Sequence, residues 1–331
     1  MSTTSFLTDI RIAQSKTWQR NTDHIGELYI PLLKSLAPLS INDGSSLFLN
    51  LLKIFLQRNH YDVIINGNLR TAQFLALIRR LFPLHFPQQI LLELMLDETQ
   101  EDFFWKIKRK IQEFVFARIE LIFVSSRSEI ETYSERLRLP KERICFLPFH
   151  TNVVEPKIVQ GTGNYFLSAG KTGRDFQLLT EAVKDLKCEL VIVSDEDSIK
   201  GIDLPSNIKL LLNIPYSKYL ELLFDCRAVI VPLKRLVKST GQVVILEAMA
   251  LGKPVIATET VGTVDYIQSG FNGLLVPPDD PGCLHKAISQ LLKDESFCCH
   301  LSANALKTVK EFHTFETYVN AILKAARELA T

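Results

Sequence analysis

No run of apolar residues in this 331-residue chain is long enough to cross a bilayer, which takes about 20 apolar residues in succession. The stretch richest in leucine and phenylalanine, Leu47–Leu56, is too short and predicts a packed helix. The first residues, MSTTSFLTDIRIAQ, also lack the basic and apolar regions of a secretion signal. We therefore expect a cytoplasmic protein, which could at most contact the inner face of a membrane peripherally.

Cysteine pairs and an excess of charge are missing as well. None of the six cysteines forms a CxxC pair, and most lie in apolar stretches, so they are predicted to be reduced core residues. A net charge of +1 provides no excess of cations for a nucleic acid. Asp195-Glu196-Asp197 is typical of a charged turn rather than of a metal motif. We expect neither a nucleic-acid partner nor a bound metal.

Glycine is scarce in the first half of the chain. Three of the 14 glycines precede residue 150, and the other eleven lie between residues 161 and 282, where backbone turns near a ligand are expected to concentrate. Between these parts, residues 151–163 (TNVVEPKIVQGTG) contain proline and glycine and show no sustained periodicity, as in a linker. The sequence thus predicts two domains, residues 1–150 and residues 151–331, in line with the chain length.

Short apolar segments alternate with helical segments in the second domain, which predicts a parallel sheet covered by helices on both faces. Its predicted strands are Tyr165–Ala169, Glu189–Ser194, Ile208–Asn213, Ala228–Pro232, Pro254–Thr258 and Gly273–Val276. The first domain shows the same alternation less clearly, with strands at Tyr61–Asn66, Gln89–Met95, Glu120–Val124 and Arg143–Leu147. The predicted fold is α/β, with two Rossmann-like domains whose parallel sheets face each other across a cleft. In such sheets ligands bind beyond the carboxyl ends of the strands.

One helical segment of the second domain contains a single polar residue. Between Val243 and Leu251 only Glu247 is polar, and a helix that is apolar on every side is normally buried. A buried carboxylate needs hydrogen-bond donors. The hydroxyl groups of a ribose would supply them; a structural core helix whose glutamate pairs with an arginine is the alternative.

Two turns offer groups that suit a nucleotide diphosphate. The residues before the Glu247 helix have free backbone N–H groups and the positive end of the helix dipole, which favour phosphate oxygens. They are Thr240, Gly241 and Gln242. The turn Gly170-Lys171-Thr172-Gly173-Arg174 joins a predicted strand to a helix, and its two cations can neutralise the charge of a departing diphosphate. For Lys171 and Arg174, ordinary solvated charges on a loop remain the alternative.

These segments resemble, in order and spacing, the carboxyl-terminal domain of GT-B glycosyltransferases of family 4 (group 1). The resemblance covers most of residues 120–295 and runs through FVSSRSE (123–129), FLPF (146–149), GK and RDF (170–176), AVIVPL (228–233), LEAMALGKPVIAT (246–258) and GFNGLLVPP (270–278). It implies that Glu247 holds the donor ribose and that Lys171 and Arg174 hold the donor diphosphate. It also places Tyr216 in the stretch that contacts the base, although packing at a helix start would equally explain Tyr216.

The sequence departs from the family at one position. Members usually carry another glutamate eight positions before the ribose-binding one, where it contacts the transferred sugar, and here that residue is Ser239. A hydroxyl group can hydrogen-bond a sugar but supplies no charge. The identity of the donor sugar therefore stays open.

Two features of the first domain point to the acceptor. Asp97 follows a predicted strand and could bind acceptor hydroxyls, with a solvated helix start as the alternative. Phe103–Ile111 combines bulky apolar side chains with four cations, as in a helix that lies against anionic lipid. A core-packed helix with a solvated basic face is the alternative there.

The resulting prediction is an enzyme, a hexosyl- or related glycosyltransferase that moves a sugar from a UDP- or GDP-linked donor to an acceptor hydroxyl. The resemblance implies retention of configuration, no metal or other cofactor, and a carbohydrate or lipid-linked acceptor in glycan, polysaccharide or glycolipid synthesis. Two alternatives remain. One is a nucleotide-sugar epimerase on the same fold, and the other is a non-catalytic protein that binds sugar nucleotides or glycans, which Ser239 would favour.

Overall fold

The computed structural model describes residues 6–8, 55–56, 58–60, 62–67, 69–82, 84–96 and 102–330. The described strands are β1 (Phe6–Thr8), β2 (Val63–Asn66), β3 (Gln88–Leu91), β4 (Leu121–Val124), β5 (Ile144–Phe146), β6 (Tyr165–Ala169), β7 (Glu189–Ser194), β8 (Ile208–Leu212), β9 (Ala228–Val231), β10 (Val255–Thr258) and β11 (Leu274–Val276). The helices are α1 (Leu69–Leu81), α2 (Phe103–Phe116), α3 (Ser128–Leu137), α4 (Phe176–Val183), α5 (Glu196–Ile199), α6 (Tyr216–Asp225), α7 (Gln242–Ala250), α8 (Pro281–Lys293), α9 (Glu295–Phe312) and α10 (Phe315–Ala330). The chain divides into two units, Met1–Pro148 with Phe315–Thr331, and Phe149–Thr314.

The first unit contains a parallel sheet in the order β1-β2-β3-β4-β5. Successive residues of a strand point to opposite faces, and both faces of this sheet are apolar. On one face Leu91 and Ile122 pack with α1, α2 and α3. On the other face Ile90 and Phe123 pack with α10. Both faces are therefore removed from water, as is usual for parallel sheets.

The last helix belongs to the first unit. Its buried residues recur at helical spacing and pack against the first sheet: Phe315, Val319, Ile322, Leu323 and Ala326. The sequence prediction extended the second domain from residue 151 to residue 331, whereas the structure begins the second unit at Phe149 and ends it at Thr314. An apolar stripe shows that a helix is covered but does not specify which of two sheets covers it.

The second unit contains a six-stranded parallel sheet in the order β11-β10-β9-β6-β7-β8. If these six strands are numbered 1 to 6 in chain order from β6, the sheet read from its β8 edge has the order 3-2-1-4-5-6. This is the order of a doubly wound fold. Alternate residues again face two cores, so that Leu167 packs with α6, α7 and α9 while Phe166 packs with α4 and α8. The chain turns in opposite directions from β6 and β9, and ligands bind beyond the carboxyl ends of strands at such a switch point.

Among the helices that the structure describes, none is both long and apolar enough to cross a membrane.

Candidate functional site

Three turns meet at the carboxyl edge of the second sheet. They follow β6 (residues 170–174), β9 (residues 239–242) and β10 (residues 259–263). The first two approach each other closely, because a Cβ on Gly173 would lie 3.2 Å from Thr240 Oγ1. The third packs even more tightly, since a Cβ on Gly262 would collide with the backbone of Thr240. The structure thus brings together the two turns that the sequence predicts for a diphosphate.

The start of α7 offers polar hydrogen atoms at this edge. Gly241 is its N-cap with φ of 95°, a left-handed conformation that favours glycine, and no side chain caps the helix. The first backbone N–H groups of a helix have no partner within it. Gln242 is 7% exposed, and its side-chain Nε2 has no hydrogen-bond partner among the described residues. Ser239 is also buried, directly before this turn.

Arg174 is a buried cation beside the switch point. Only 7% of the residue is exposed, and its guanidinium donates from Nε to Ala169 O at 2.9 Å and from Nη1 to Thr172 O at 3.2 Å. Among the described residues no carboxylate forms an ion pair with it. Burial lowers the pKa of Arg174 to about 10, so it remains charged at neutral pH. An uncompensated buried charge of this kind is costly and favours an anion as partner.

Lys171 lies on the same turn but is exposed. Its Nζ is 3.3 Å from Asp195 Oδ2 and 3.4 Å from Asn213 Oδ1. Hydrogen bonds from Ser198 hold the pKa of Asp195 below its ordinary value, and Lys171 adds to that effect. Because an exposed pair of this kind is worth little, Lys171 can leave Asp195 for a stronger anion.

Glu247 is fully buried, as the sequence predicts, but its donors come from the protein. Oε1 accepts hydrogen bonds from Tyr216 Oη at 2.7 Å and from Asn152 Nδ2 at 3.0 Å. Oε2 accepts one from Tyr219 Oη at 2.9 Å. Neither the expected ligand hydroxyls nor an arginine is needed to satisfy the carboxylate in this state.

The two tyrosines remain protonated donors over the ordinary pH range. Burial raises the pKa of Tyr219 well above its usual value, and the charge of Glu247 raises it further. Burial and Glu247 likewise raise the pKa of Tyr216. Glu247 therefore receives its hydrogen bonds from two neutral phenol groups and the Asn152 amide.

Sequence reasoning found some of these residues and missed others. Gly170, with φ of 120°, leaves room for the Arg174 guanidinium, which a Cβ at that position would displace. Tyr219 was missed, although it follows Tyr216 by three residues and must share its helix face. Asn152 was missed because it lies far from Glu247 in the chain and carries no local signal. Asp97 falls outside the described residues.

Two units with parallel sheets, one of which presents a buried carboxylate and two cations at its switch point, define an α/β protein of the GT-B class. Residues 156–308, almost all of the second unit, match the family model described as glycosyl transferases group 1. The predicted GT-B fold is confirmed by its likeness to solved glycosyltransferase structures.

Solved structures share this fold. A glycosyltransferase from Rickettsia africae is similar with a TM-score of 0.70 at 14% identity, over 99% of each chain. HepE from Anabaena, solved in complex with UDP-glucose, has a TM-score of 0.69 at 14% identity, over 98% of this chain and 99% of that one. At such identities the likeness establishes the fold.

A curated relative adds sequence similarity over part of the chain. An uncharacterised glycosyltransferase of Methanocaldococcus jannaschii is 28% identical over 189 residues, which are 54% of this chain and 53% of that protein. The chain thus spans about half the length of this relative.

Proposed function

We propose that the chain is a glycosyltransferase of family 4 within group 1, which transfers a sugar from a nucleoside diphosphate sugar to an acceptor hydroxyl with retention of configuration. The site at the edge of the second sheet would bind the donor. The family match of residues 156–308 and the UDP-glucose held by HepE support a nucleotide sugar as donor. The UDP-linked class is therefore the first to test, ahead of the GDP-linked class.

The observation that carries this proposal is the buried Arg174 guanidinium. It belongs to the turn that packs against Thr240, just before the uncapped start of α7, and it lacks a carboxylate partner within the described part of the chain. A diphosphate would pair with both, since helix N-termini and guanidinium groups each favour phosphate oxygens. As the bond to the sugar breaks, negative charge grows on the diphosphate, and these groups stabilise it without reorganising.

The remaining residues would position the donor. Glu247 would accept hydrogen bonds from the ribose, and Tyr216 would contact the base. Lys171 would leave Asp195 and add a second charge at the phosphates. The turn from Ser239 to Gln242 would hold the sugar and the phosphates, and the unpartnered Gln242 Nε2 would donate one of these hydrogen bonds.

Ser239 favours one competing function, a protein that binds sugar nucleotides without turning them over. The residue stands where the resemblance expects a carboxylate on the sugar, and its hydroxyl supplies no charge there. Such a protein would bind the donor but release no nucleotide in the presence of any acceptor.

A ligand panel and a turnover assay test the proposal together. Thermal shifts with UDP- and GDP-sugars would identify the donor, because a ligand at a hundredfold excess over its dissociation constant stabilises a protein by about 2.7 kcal/mol. Glu247→Ala should abolish the shift, while Glu311→Ala, which alters an exposed residue of α9, should keep it. An unchanged affinity in Glu247→Ala would refute the assignment. Nucleotide release that needs an acceptor would identify a transferase, and turnover of the donor alone an epimerase.

The acceptor side would lie on the first unit. We propose that Asp97 binds acceptor hydroxyls and that α2 contacts an anionic membrane, which would give access to a lipid-linked acceptor. The helix exposes Phe103, Phe104, Ile107, Ile111 and Phe114, and 80% of Phe104 is open to solvent. Lys106, Lys108, Arg109 and Lys110 are exposed beside them. This combination suits the boundary of an anionic bilayer.

A cytoplasmic location completes the proposal. All six cysteines lie in the described part of the chain and are free thiols, as in a reducing compartment.

A further inference from the structure

The three donors to Glu247 differ in how firmly they are held. Tyr219 is 8% exposed and packs in the core of the second unit. Asn152 is half-buried. Tyr216 is 53% exposed, although its hydroxyl reaches the fully buried carboxylate. Tyr216 is therefore the donor that can move away at the lowest cost.

The position of Tyr216 in its helix also permits this movement. It is the first residue of α6, and its N-cap Pro215 forms no side-chain cap. Its ring meets that of Tyr219 at a centroid distance of 5.8 Å and an angle of 37°. Rotation about the side chain would break that contact and one hydrogen bond, while the backbone of α6 stays in place.

A ribose would compete for the same atom. Its two neighbouring hydroxyls suit both oxygens of one carboxylate, but Oε1 already accepts two hydrogen bonds, from Tyr216 and Asn152. A third donor does not fit well on this oxygen, because a carboxylate oxygen has two lone-pair sites. A ligand hydroxyl can reach Oε1 only after one of the two present donors leaves.

We propose that the Tyr216 hydroxyl occupies, in the free protein, the site on Glu247 that a ribose hydroxyl takes, and that it must swing out before the donor binds. The inference rests on the proposed function of Glu247. Tyr216 then has two opposite effects. It shields the buried carboxylate from water in the free protein, and it lowers the apparent affinity for nucleotide because the binding-competent state is only partly populated.

Calorimetric titration of UDP and of GDP tests this inference in the wild type, Tyr216→Phe, Tyr219→Phe and Glu247→Ala. Tyr216→Phe keeps the ring but removes the competing hydroxyl, so it should bind nucleotide about three- to tenfold more tightly, or roughly 0.7–1.4 kcal/mol. Tyr219→Phe is the matched control. It removes the hydroxyl that donates to Oε2 of the same carboxylate and leaves both donors of Oε1 in place. Its affinity for nucleotide should therefore not rise.

The 2′,3′-dideoxy form of the nucleotide provides the second arm. It has no hydroxyl for Glu247, so it does not require Tyr216 to leave, and Tyr216→Phe should bind it as the wild type does. Weaker or equal binding of the ordinary nucleotide by Tyr216→Phe, or an equal gain for the dideoxy form, would overturn the role of Tyr216. If Glu247→Ala bound nucleotide as tightly as the wild type, the proposed function itself would be overturned. The same would follow if neither the wild type nor any variant bound UDP or GDP.

Discussion

The side-chain amide of Asn152 donates a hydrogen bond to Glu247 Oε1 at 3.0 Å, although 95 residues separate the two in the chain. Asn152 lies three residues after Phe149, where the second unit begins. The same segment is tied to the end of the unit, because Thr151 N donates to His313 O at 2.8 Å and His313 Nδ1 donates to Phe149 O at 3.0 Å. The carboxylate of the proposed ribose site is thus held in part by the first residues of the second unit.

Replacing Arg174 by glutamine should lower kcat by about a hundredfold, the usual effect of losing one group that stabilises charge in the transition state. Glutamine can keep a hydrogen bond to Ala169 O, but it supplies no charge to the departing diphosphate. Arg174→Lys should recover part of the rate, because it restores the charge without the paired geometry of the guanidinium. Acceptor-dependent nucleotide release measures both variants.

The control for Arg174 is a cation outside the site. Arg235 is exposed and pairs with Asp279 at 2.8 Å, so Arg235→Gln should change kcat by less than about twofold. Equal losses in Arg174→Gln and Arg235→Gln would show that general charge, rather than the buried guanidinium, supports the reaction.

Gly262→Ala should destabilise the second unit by about 1–3 kcal/mol, the range for overpacking a tight contact. The added methyl group would collide with the backbone of Thr240 and push the turn that leads into α7. Nucleotide affinity should fall as well, because the same turn is proposed to hold the phosphates. Urea unfolding and calorimetric titration measure the two effects.

Gly282→Ala is the control, because it makes the same substitution where the added methyl group causes no collision. Its Cβ would meet nothing closer than Asp280 Oδ1 at 3.4 Å, and it lies in the first turn of α8. Since alanine favours a helix over glycine by about 0.5–1 kcal/mol, this variant should be as stable as the wild type or more so. A loss of stability as large as that of Gly262→Ala would contradict the steric explanation.

The sequence predicted the sheet of the second unit well because each strand carries its own local signal. The predicted strands Tyr165–Ala169 and Glu189–Ser194 match β6 and β7 residue for residue. Burial of Glu247 also followed from local information, since its helix is apolar on every side. These features need no knowledge of distant parts of the chain.

Features that depend on distant residues could not be predicted in the same way. The apolar stripe of α10 is visible in the sequence, but its partner sheet is built from residues that precede it by more than 160 positions, since β5 ends at Phe146 and α10 begins at Phe315. The donors to Glu247 illustrate the same point. Two come from α6 and one from the start of the second unit, so only the folded chain shows that the protein already satisfies this carboxylate.

The second unit should lose stability as the pH falls below about 6.5. Burial lowers the pKa values of His150 and His313 below the ordinary value of 6.5, while hydrogen bonds to carbonyl groups partly oppose the shift. The unfolded chain therefore binds these protons more readily than the folded one, and acid favours unfolding. The slope can approach about 1.4 kcal/mol per pH unit for each histidine.

Urea unfolding of His313→Asn between pH 5 and pH 8 tests the origin of this slope. Asparagine can still donate to Phe149 O but does not titrate, so the variant should lose less stability on acidification than the wild type does. Parallel pH dependence in both proteins would assign the effect to other groups.

The exposed face of α2 should bind vesicles that contain anionic lipid and should not bind neutral ones. The end of α1 lies beside this face, because the Arg80 guanidinium lies 4.7 Å from the centre of the Phe114 ring. Leu81 and Phe82 are exposed there. Lys106→Gln with Lys110→Gln should weaken binding by about ten- to thirtyfold, since each cation near the surface contributes roughly 1 kcal/mol. The double variant Phe104→Ser with Ile111→Ser should also weaken vesicle binding, because less apolar surface would be buried in the membrane.

Two exposed lysines of α9 provide the control for this membrane contact. Lys307→Gln with Lys310→Gln removes the same charge from another helix, and sedimentation with vesicles should detect no change. If both lysine pairs weakened binding equally, net charge rather than α2 would cause the attraction. If neutral and anionic vesicles bound the wild type equally well, charge would play no part in the contact. If neither kind of vesicle bound, the exposed apolar face would need a different partner, such as another protein.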